Sequence, residues 1–309
     1  GPLRIALIAN PHASRVSSRQ RDRVVAVLAA RHKLELLQTS HPGHATELAA
    51  RAVADGAEVV AVLGGDGTVN EVVNGMRGSD AALGLLGGGR VNVLARGLGL
   101  PADPDRAAAR LIELLAAGAR RRLTLGVAGD RCFALNAGLG LGGAIVREVE
   151  RRQRAKQLYG DRAYLAAGLK ALLVDHDRDH PHLTVHLPDG RPPLRGFFTL
   201  VGNGDPFTYL GRRPFRPTPQ ATWDGGLDLL VGQTMATRSL VRALTGMLSP
   251  HPRAGYPGLP VLQDIDGFSL ESDIPLPFQL DGEYVGDRTS VTFGCLRSAL
   301  AVFAPPARA

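Results

Sequence analysis

Short apolar runs alternate with stretches of helical spacing over the first 120 residues. Residues 3–9 are an apolar run that predicts a buried strand, and residues 19–31 place Val24, Val25 and Leu28 on one face of a helix. The same reading gives a strand at 34–39, a helix at 45–55, a strand at 58–63, a helix starting within 70–76, a strand at 82–86 and a helix at 92–98. Residues 104–117 open with Pro104 at the helix start and continue in Ala-rich helical spacing. Strands alternating with helices predict a parallel sheet covered on both faces, a Rossmann-like α/β domain. Ligands of such sheets bind at the carboxyl ends of the strands.

The period changes near Arg120-Arg121-Arg122. Strand-like runs then dominate, at 122–128, 132–136, 183–187, 197–201, 227–231, 268–271, 278–280, 290–293 and 299–303, with turn residues between them. Helices are expected at 143–154, 162–174 and 237–248. The expectation is two domains: an α/β domain at 1–122 and a mainly antiparallel β-sandwich at 123–309, whose last strand is a candidate to pack back on the first domain.

Composition narrows this picture only slightly. The chain has 309 residues, 44% of them hydrophobic, which is ordinary for a globular protein. Thirty-six Lys and Arg against 29 Asp and Glu leave a net charge of +7. This excess suits an anionic partner, but richness in Ala, Gly, Arg and Leu makes part of it compositional. Cys132 and Cys295 lie in no CxxC pair, so no zinc site is expected. His12, His44, His176, His180 and His182 lack a carboxylate or cysteine scaffold at zinc-like spacing and are expected in loops. No apolar run reaches the length of a membrane span and no leader is legible, so a cytoplasmic protein is expected.

The chemistry concentrates after the strand at 58–63, in Gly64-Gly65-Asp66-Gly67-Thr68-Val69-Asn70-Glu71-Val72-Val73-Asn74-Gly75. Glycines let the backbone approach a ligand without Cβ clashes, and amides at a helix start can point at phosphate oxygens. Asp66 would repel phosphate unless a cation lies between them. Thr68 is a candidate helix cap or phosphate donor. The bland alternative is a glycine-rich turn capped by Thr68. The string is neither a Walker A loop nor a GxGxxG fingerprint.

At full length it resembles the GGDGTxNEVxNG signature of the diacylglycerol kinase catalytic family. Asn10-Pro11-His12-Ala13-Ser14-Arg15 resembles that family's NPxSG motif, with Arg15 in the usual Gly position. Thr39 and residues 43–49 resemble its T-x-x-x-G-x-A-x-x-L-A segment, and residues 88–96 stand where it has a GTxNDFAR-like block. Asp224-Gly225-Gly226-Leu227-Asp228 matches DGxLD, and Gln279-Leu280-Asp281-Gly282-Glu283 matches QxDGE. The resemblance runs from residue 5 to about 303 in the family's order.

The resemblance implies an NAD-kinase-like fold and an ATP-dependent lipid kinase that uses Mg²⁺, with ATP bound between the two domains. Asn10, Pro11, His12, Ala13, Ser14, Thr39, Gly64, Gly65, Asp66, Gly67, Thr68, Val69, Asn70, Glu71, Arg90 and Asn92 would line the nucleotide site. Asp66 would organise the catalytic Mg²⁺. Asp281 and Glu283 would serve the acceptor hydroxyl, where a carboxylate takes up the proton as the new bond forms. Their bland alternative is a solvated Asp-Gly hairpin turn. A stabilising Mg²⁺ would sit on the Asp224 side chain and the Ala221 and Gly226 carbonyls.

Beside Arg15, further places depart from the family pattern, among them Gly211-Arg212-Arg213 in place of a more usual glycine cluster. Val93 replaces an Asp that contributes to the charged network, and Arg90 stands where Thr often meets phosphate. The expected partner is a lipid such as diacylglycerol at a membrane surface, reached peripherally through the basic stretch Arg147, Arg151, Arg152, Arg154, Lys156 and Arg162. No nucleic-acid partner is expected, and the oligomeric state is open, with a homodimer as one alternative. The competing functional readings are a soluble NAD-kinase-like enzyme and a catalytically impaired homologue.

Overall fold

Three strands in the first third of the chain are almost wholly apolar, and every residue of two of them is buried. A computed structural model describes residues 1–13, 15–155, 177 and 179–307, without side chains at 148, 149 and 151–155. The chain divides into two units, residues 1–125 with 297–309, and residues 126–296. The boundary expected after 122 thus falls after Leu125.

In the first unit, β1 (Arg4–Ala9), β2 (Lys33–Gln38), β3 (Val59–Gly64) and β4 (Ala82–Gly88) pair in parallel, in the order β4-β3-β1-β2. Ala301 and Val302 add a further parallel pairing beside β4. All residues of β3 and β4 are buried. Successive strand residues point to opposite faces, so this pattern requires cover on both. The cover comes from α1 (Ser18–Ala29) packed with α5 (Pro104–Ala117), and α2 (His44–Ala54) packed with α3 (Asp66–Gly75). A short α4 (Val93–Gly97) follows β4.

Helix α3 begins at Asp66, inside the glycine run and four residues before the expected start. Gly65 is its N-cap, so Thr68 is a helical residue and not the cap. A carboxylate in a first helical turn is favoured by the helix dipole, and Gly67 is tolerated there.

The second unit is built from antiparallel strands. They are the end of β5 (Arg120–Ala128) with β6 (Arg131–Phe133), and β7 (Asn136–Leu139), β8 (Leu183–His186), β9 (Leu194–Gly196), β10 (Phe198–Gly202), β13 (Leu227–Gly232), β14 (Val261–Ile265), β15 (Gly267–Leu280) and β16 (Glu283–Phe303). A separate hairpin joins β11 (Thr208–Leu210) to β12 (Arg213–Phe215). Two pairs of expected strands are single long ones. The stretches at 268–271 and 278–280 are both β15, interrupted by a register shift between Glu271 and Leu276, and those at 290–293 and 299–303 are both β16. Phe293 anchors the core, stacked on Phe268 at 4.7 Å and edge-on to Phe133 and Phe278 at 6.1 Å. Helix α6 (Leu141–Ala155) and helix α7 (Thr237–Met247) belong to this unit; the helix expected at 162–174 lies outside the described residues.

Candidate functional site

The parallel sheet gathers the predicted nucleotide residues at one edge. Asn10 follows β1, Thr39 follows β2, Gly64 ends β3, and residues 89–92 follow β4. The turn after β1 closes on itself: Asn10 Oδ1 accepts the His12 N–H at 2.9 Å and its carbonyl accepts the Ala13 N–H at 3.0 Å. The Asn10 amide donates to Thr68 Oγ1 at 3.3 Å, joining this turn to the first turn of α3. Pro11 and His12 are exposed beside it, and Ser14 lies outside the described residues.

The glycines have a steric reason. A Cβ on Gly89 would overlap the Cα of Gly65, so the loops after β3 and β4 meet backbone to backbone. A Cβ on Gly64 would meet Thr68 at 2.8 Å, whereas Gly67 faces open space and is exposed. The start of α3 has no side-chain cap. Its first amides therefore lack intrahelical partners and form a cradle of positive potential.

Asp66 stands beside that cradle, and its Oδ1 accepts the Val93 N–H at 2.8 Å. This contact comes from the main chain, which any non-proline residue at 93 supplies, so it does not replace the Asp side chain of the family pattern. The main chain at 93 holds Asp66, while the Val93 side chain is buried in the core. Asn92 sits in the left-handed region, φ 54°, and locks the loop by accepting the Gly89 N–H and donating to the Gly89 carbonyl, both at 2.9 Å. Arg90 is exposed and has no hydrogen-bond or ion-pair partner among the described residues.

Not every residue of the glycine string faces this edge. Glu71 caps α2: its two oxygens accept the N–H groups of Gly43 (2.9 Å) and Ala45 (3.1 Å). Gly75 lets α2 and α3 close, since a Cβ there would overlap the Thr46 carbonyl. Val69 and Asn70 are buried within α3, and the Asn74 amide donates to the Asn70 carbonyl at 2.9 Å. His44 opens α2 and is not a loop residue; its ring stacks on His41.

In the second unit the QxDGE segment forms the turn between β15 and β16. Asp281 is buried and left-handed, φ 48°. Its carboxylate accepts three main-chain N–H groups, from Ala134 at 2.9 Å, Leu135 at 2.8 Å and Asn136 at 3.0 Å. Gln279 continues the network. It donates to Asn136 Oδ1 at 2.9 Å and accepts the Gly282 N–H at 2.9 Å, while the Asn136 amide donates to the Phe207 carbonyl at 2.7 Å. Glu283 is the accessible carboxylate of the pair, half-exposed and ion-paired to Arg131 at 2.6 Å. Sequence reading missed Arg131 and Asn136, which lie far from residue 283 along the chain; Gln279 was visible as the first letter of its motif.

The DGxLD segment holds an unexpected feature. Asp224 is exposed on a turn closed by the Gly225 N–H on the Thr222 carbonyl at 3.1 Å. The buried carboxylate is Asp228, whose Oδ1 accepts the Asp264 N–H at 2.9 Å and whose Oδ2 has no hydrogen-bond partner among the described residues. Burial, with the Asp264 charge nearby, pushes Asp228 up to about 6. Asp264, left-handed at φ 52°, in turn accepts the Gly226 N–H at 2.7 Å.

Of the basic stretch proposed for membrane contact, the Arg147 side chain is described. It pairs with Asp287 at 3.4 Å and lies over the Tyr284 ring at 5.9 Å. The side chains of Arg151, Arg152, Arg154, Lys156 and Arg162 lie outside the described residues. No helix among the described residues is long and apolar enough to cross a membrane.

Residues 4–127 match the model of the diacylglycerol kinase catalytic domain. A protein of Chromohalobacter salexigens named "Probable lipid kinase YegS-like" is 31% identical over 85% of this chain and 81% of its own length. The chain belongs to the diacylglycerol kinase catalytic family. A second member, named "Diacylglycerol kinase", from Staphylococcus aureus strain MRSA252, is 26% identical over 98% of this chain and 92% of its own. The family's fold extends along the chain. A solved diacylglycerol kinase structure from Bacillus anthracis str. Sterne covers 98% of it, and 97% of that chain, with a TM-score of 0.75 at 22% identity. An NAD kinase from Archaeoglobus fulgidus, solved in complex with ATP, shares the fold at a TM-score of 0.51, covering 97% of this chain and 93% of that one.

Proposed function

We propose that this protein is a lipid kinase that transfers the γ-phosphate of ATP to the hydroxyl of a lipid such as diacylglycerol, at a membrane surface it visits peripherally. The observation that carries the reading is the edge formed by Gly65, Gly89 and the uncapped start of α3, with Asp66 clasped beside it by the Val93 N–H. Such an edge attracts an anion, yet it carries a carboxylate of its own. Asp66 would hold a divalent cation such as Mg²⁺, which suits a hard carboxylate oxygen and whose charge would offset that conflict. When bound, Mg²⁺ supplies charge neutralisation on the phosphates.

The chain's own groups take the remaining roles. The α3 amides and the Asn10 turn orient the phosphates. Glu283 takes the proton of the acceptor hydroxyl, a contribution worth roughly 10²–10⁴-fold. Arg131 orients Glu283 through their 2.6 Å pair. Asp281, with its oxygens bound by three amides, fixes the turn that presents Glu283. Ala221, Asp224 and Gly226 would hold a second, stabilising Mg²⁺. The orphaned Asp228 oxygen and Asp264 make that segment rich in carboxylate oxygens, the donor type the ion takes.

The test is incubation with γ-labelled ATP, Mg²⁺ and mixed micelles carrying, in turn, diacylglycerol, phosphatidylglycerol and a sphingoid base. Label should enter one of these lipids. No labelled lipid at any enzyme level, beside a working lipid kinase, would overturn the proposal.

A further inference from the structure

Helix α7 has two unlike faces. Leu240, Ala243 and Met247 are buried in a small second core with Phe198, Leu230 and Leu259. The other side exposes Val241 (53%) and Leu244 (37%), two of the six large apolar side chains exposed among the described residues. At 100° per residue, Arg238 and Arg242 lie about 60° and 100° to one side of Val241 and Leu244 about 60° to the other, so two arginines stand beside an apolar edge. Neither guanidinium has a hydrogen-bond or ion-pair partner among the described residues. A solvated helix face ordinarily interleaves both signs of charge. Here no Asp or Glu occurs anywhere between Asp228 and Asp264.

A cavity of about 400 Å³ opens at the end of this face, lined by Arg242, Thr245, Arg253 and Tyr256 among others. It is preformed. Tyr256 and Leu259 exchange main-chain hydrogen bonds at 3.0 and 2.8 Å, and Gly246 makes room for the Tyr256 ring, which a Cβ would strike. The β11–β12 hairpin adds to the same end. The Arg216 N–H just beyond it donates to the Met247 carbonyl at 3.0 Å, and Arg212 and Arg213 are exposed at its turn. Arg216 itself is neutralised by Asp205 at 2.5 Å, so the uncompensated charge belongs to the arginines that face solvent.

We propose that this face of α7, with the Arg253 loop, docks the protein on an anionic lipid bilayer. The inference rests on the lipid-kinase reading for its purpose, and on α7 for its location. Arg238, Arg242 and Arg253 meet lipid phosphates, and Val241 and Leu244 enter the acyl boundary beside them. A short apolar strip bordered by long cationic side chains and a tyrosine is an arrangement that suits a headgroup–acyl interface. The acid-free stretch supplies the charge complementarity.

Co-sedimentation of the full chain with vesicles of phosphatidylcholine, alone or mixed with phosphatidylglycerol, tests the surface. The expected result is strong binding to the anionic vesicles, weak binding to neutral ones, and loss with rising salt. Each Arg→Gln change at 238, 242 or 253 should lower binding about fivefold, and the triple variant roughly a hundredfold. The pair Val241→Ser and Leu244→Ser should lower binding about tenfold, without recovery at low salt. All variants should phosphorylate a water-soluble short-chain acceptor as wild type does. Equal binding to neutral and anionic vesicles overturns the inference. So does a triple variant that sediments like wild type, an outcome that would fit an acidic protein partner instead. A chain that docks through α7 yet phosphorylates no lipid supports the surface and overturns the kinase reading; one that phosphorylates lipid and docks regardless of α7 does the reverse.

Discussion

Replacing Asp281 by Asn separates a structural carboxylate from a reacting one. Asn has the same shape, and its carbonyl can keep the Leu135 and Asn136 N–H groups that Asp281 Oδ1 accepts at 2.8 and 3.0 Å. Its NH₂ must then face the Ala134 N–H, donor against donor, where Oδ2 accepted at 2.9 Å. One charge-assisted bond is lost and one buried amide is stranded, a cost of roughly 2–3 kcal/mol. For a domain of this size each kcal/mol moves Tm by about 2–4 °C, so the fall should be roughly 5–10 °C. Asp281→Ala strands all three amides and should cost more. Glu283→Gln, at a half-exposed side chain, should move Tm by no more than about 2 °C. Differential scanning calorimetry on the three variants reads all of this. An Asp281→Asn protein with wild-type Tm and abolished turnover would refute the reasoning, because Asp281 would then react directly and the three amides would not need it.

Glu71→Ala removes both acceptors from the start of α2, where Gly43 offers no side chain; the cost should be about 1–2 kcal/mol, and hydrogen exchange at residues 43–46 should accelerate about tenfold. Gly89→Ala forces its loop away from Gly65 and should weaken ATP binding at least about tenfold by calorimetric titration. Asp228 lies at about 6 in the folded protein against 3.8 for an ordinary Asp carboxyl, so the folded state holds its proton more tightly than the unfolded one. Its contribution is most favourable below pH 3.8 and is lost as pH rises through 6. Asp228→Asn, which keeps the acceptor for Asp264 N–H, should therefore gain about 1 kcal/mol at pH 7.5 relative to pH 5 in urea unfolding; an identical change at both pH values would contradict it.

What the sequence disclosed follows from how local each signal is. Strands β1, β3 and β4 are apolar runs because both faces are covered, and that reads directly. The start of α3 was misplaced because glycines at 64, 65 and 67 look like a loop, while Asp66 and an uncapped N-terminus make a helix. Strand β16 read as two pieces because its half-exposed middle lacks an apolar run. The glycine loop and the QxDGE turn were legible as strings of side chains. Their supports were not, because they are main-chain groups distant in sequence: the Val93 N–H under Asp66, the amides of 134–136 around Asp281, and those of 43 and 45 on Glu71. Val93 shows the consequence. As a side chain it is a departure from the family pattern; its backbone amide, which any non-proline residue there would supply, is what Asp66 accepts.

The central claim is that a lipid hydroxyl is phosphorylated from ATP with Glu283 as its proton acceptor. Transfer of label from γ-labelled ATP to lipid micelles, compared between wild type and Glu283→Gln at saturating ATP, tests it most directly. The account predicts labelled lipid from the wild type and a kcat at least about 100-fold lower in the variant, with ATP affinity unchanged. Equal turnover by the two proteins would contradict it.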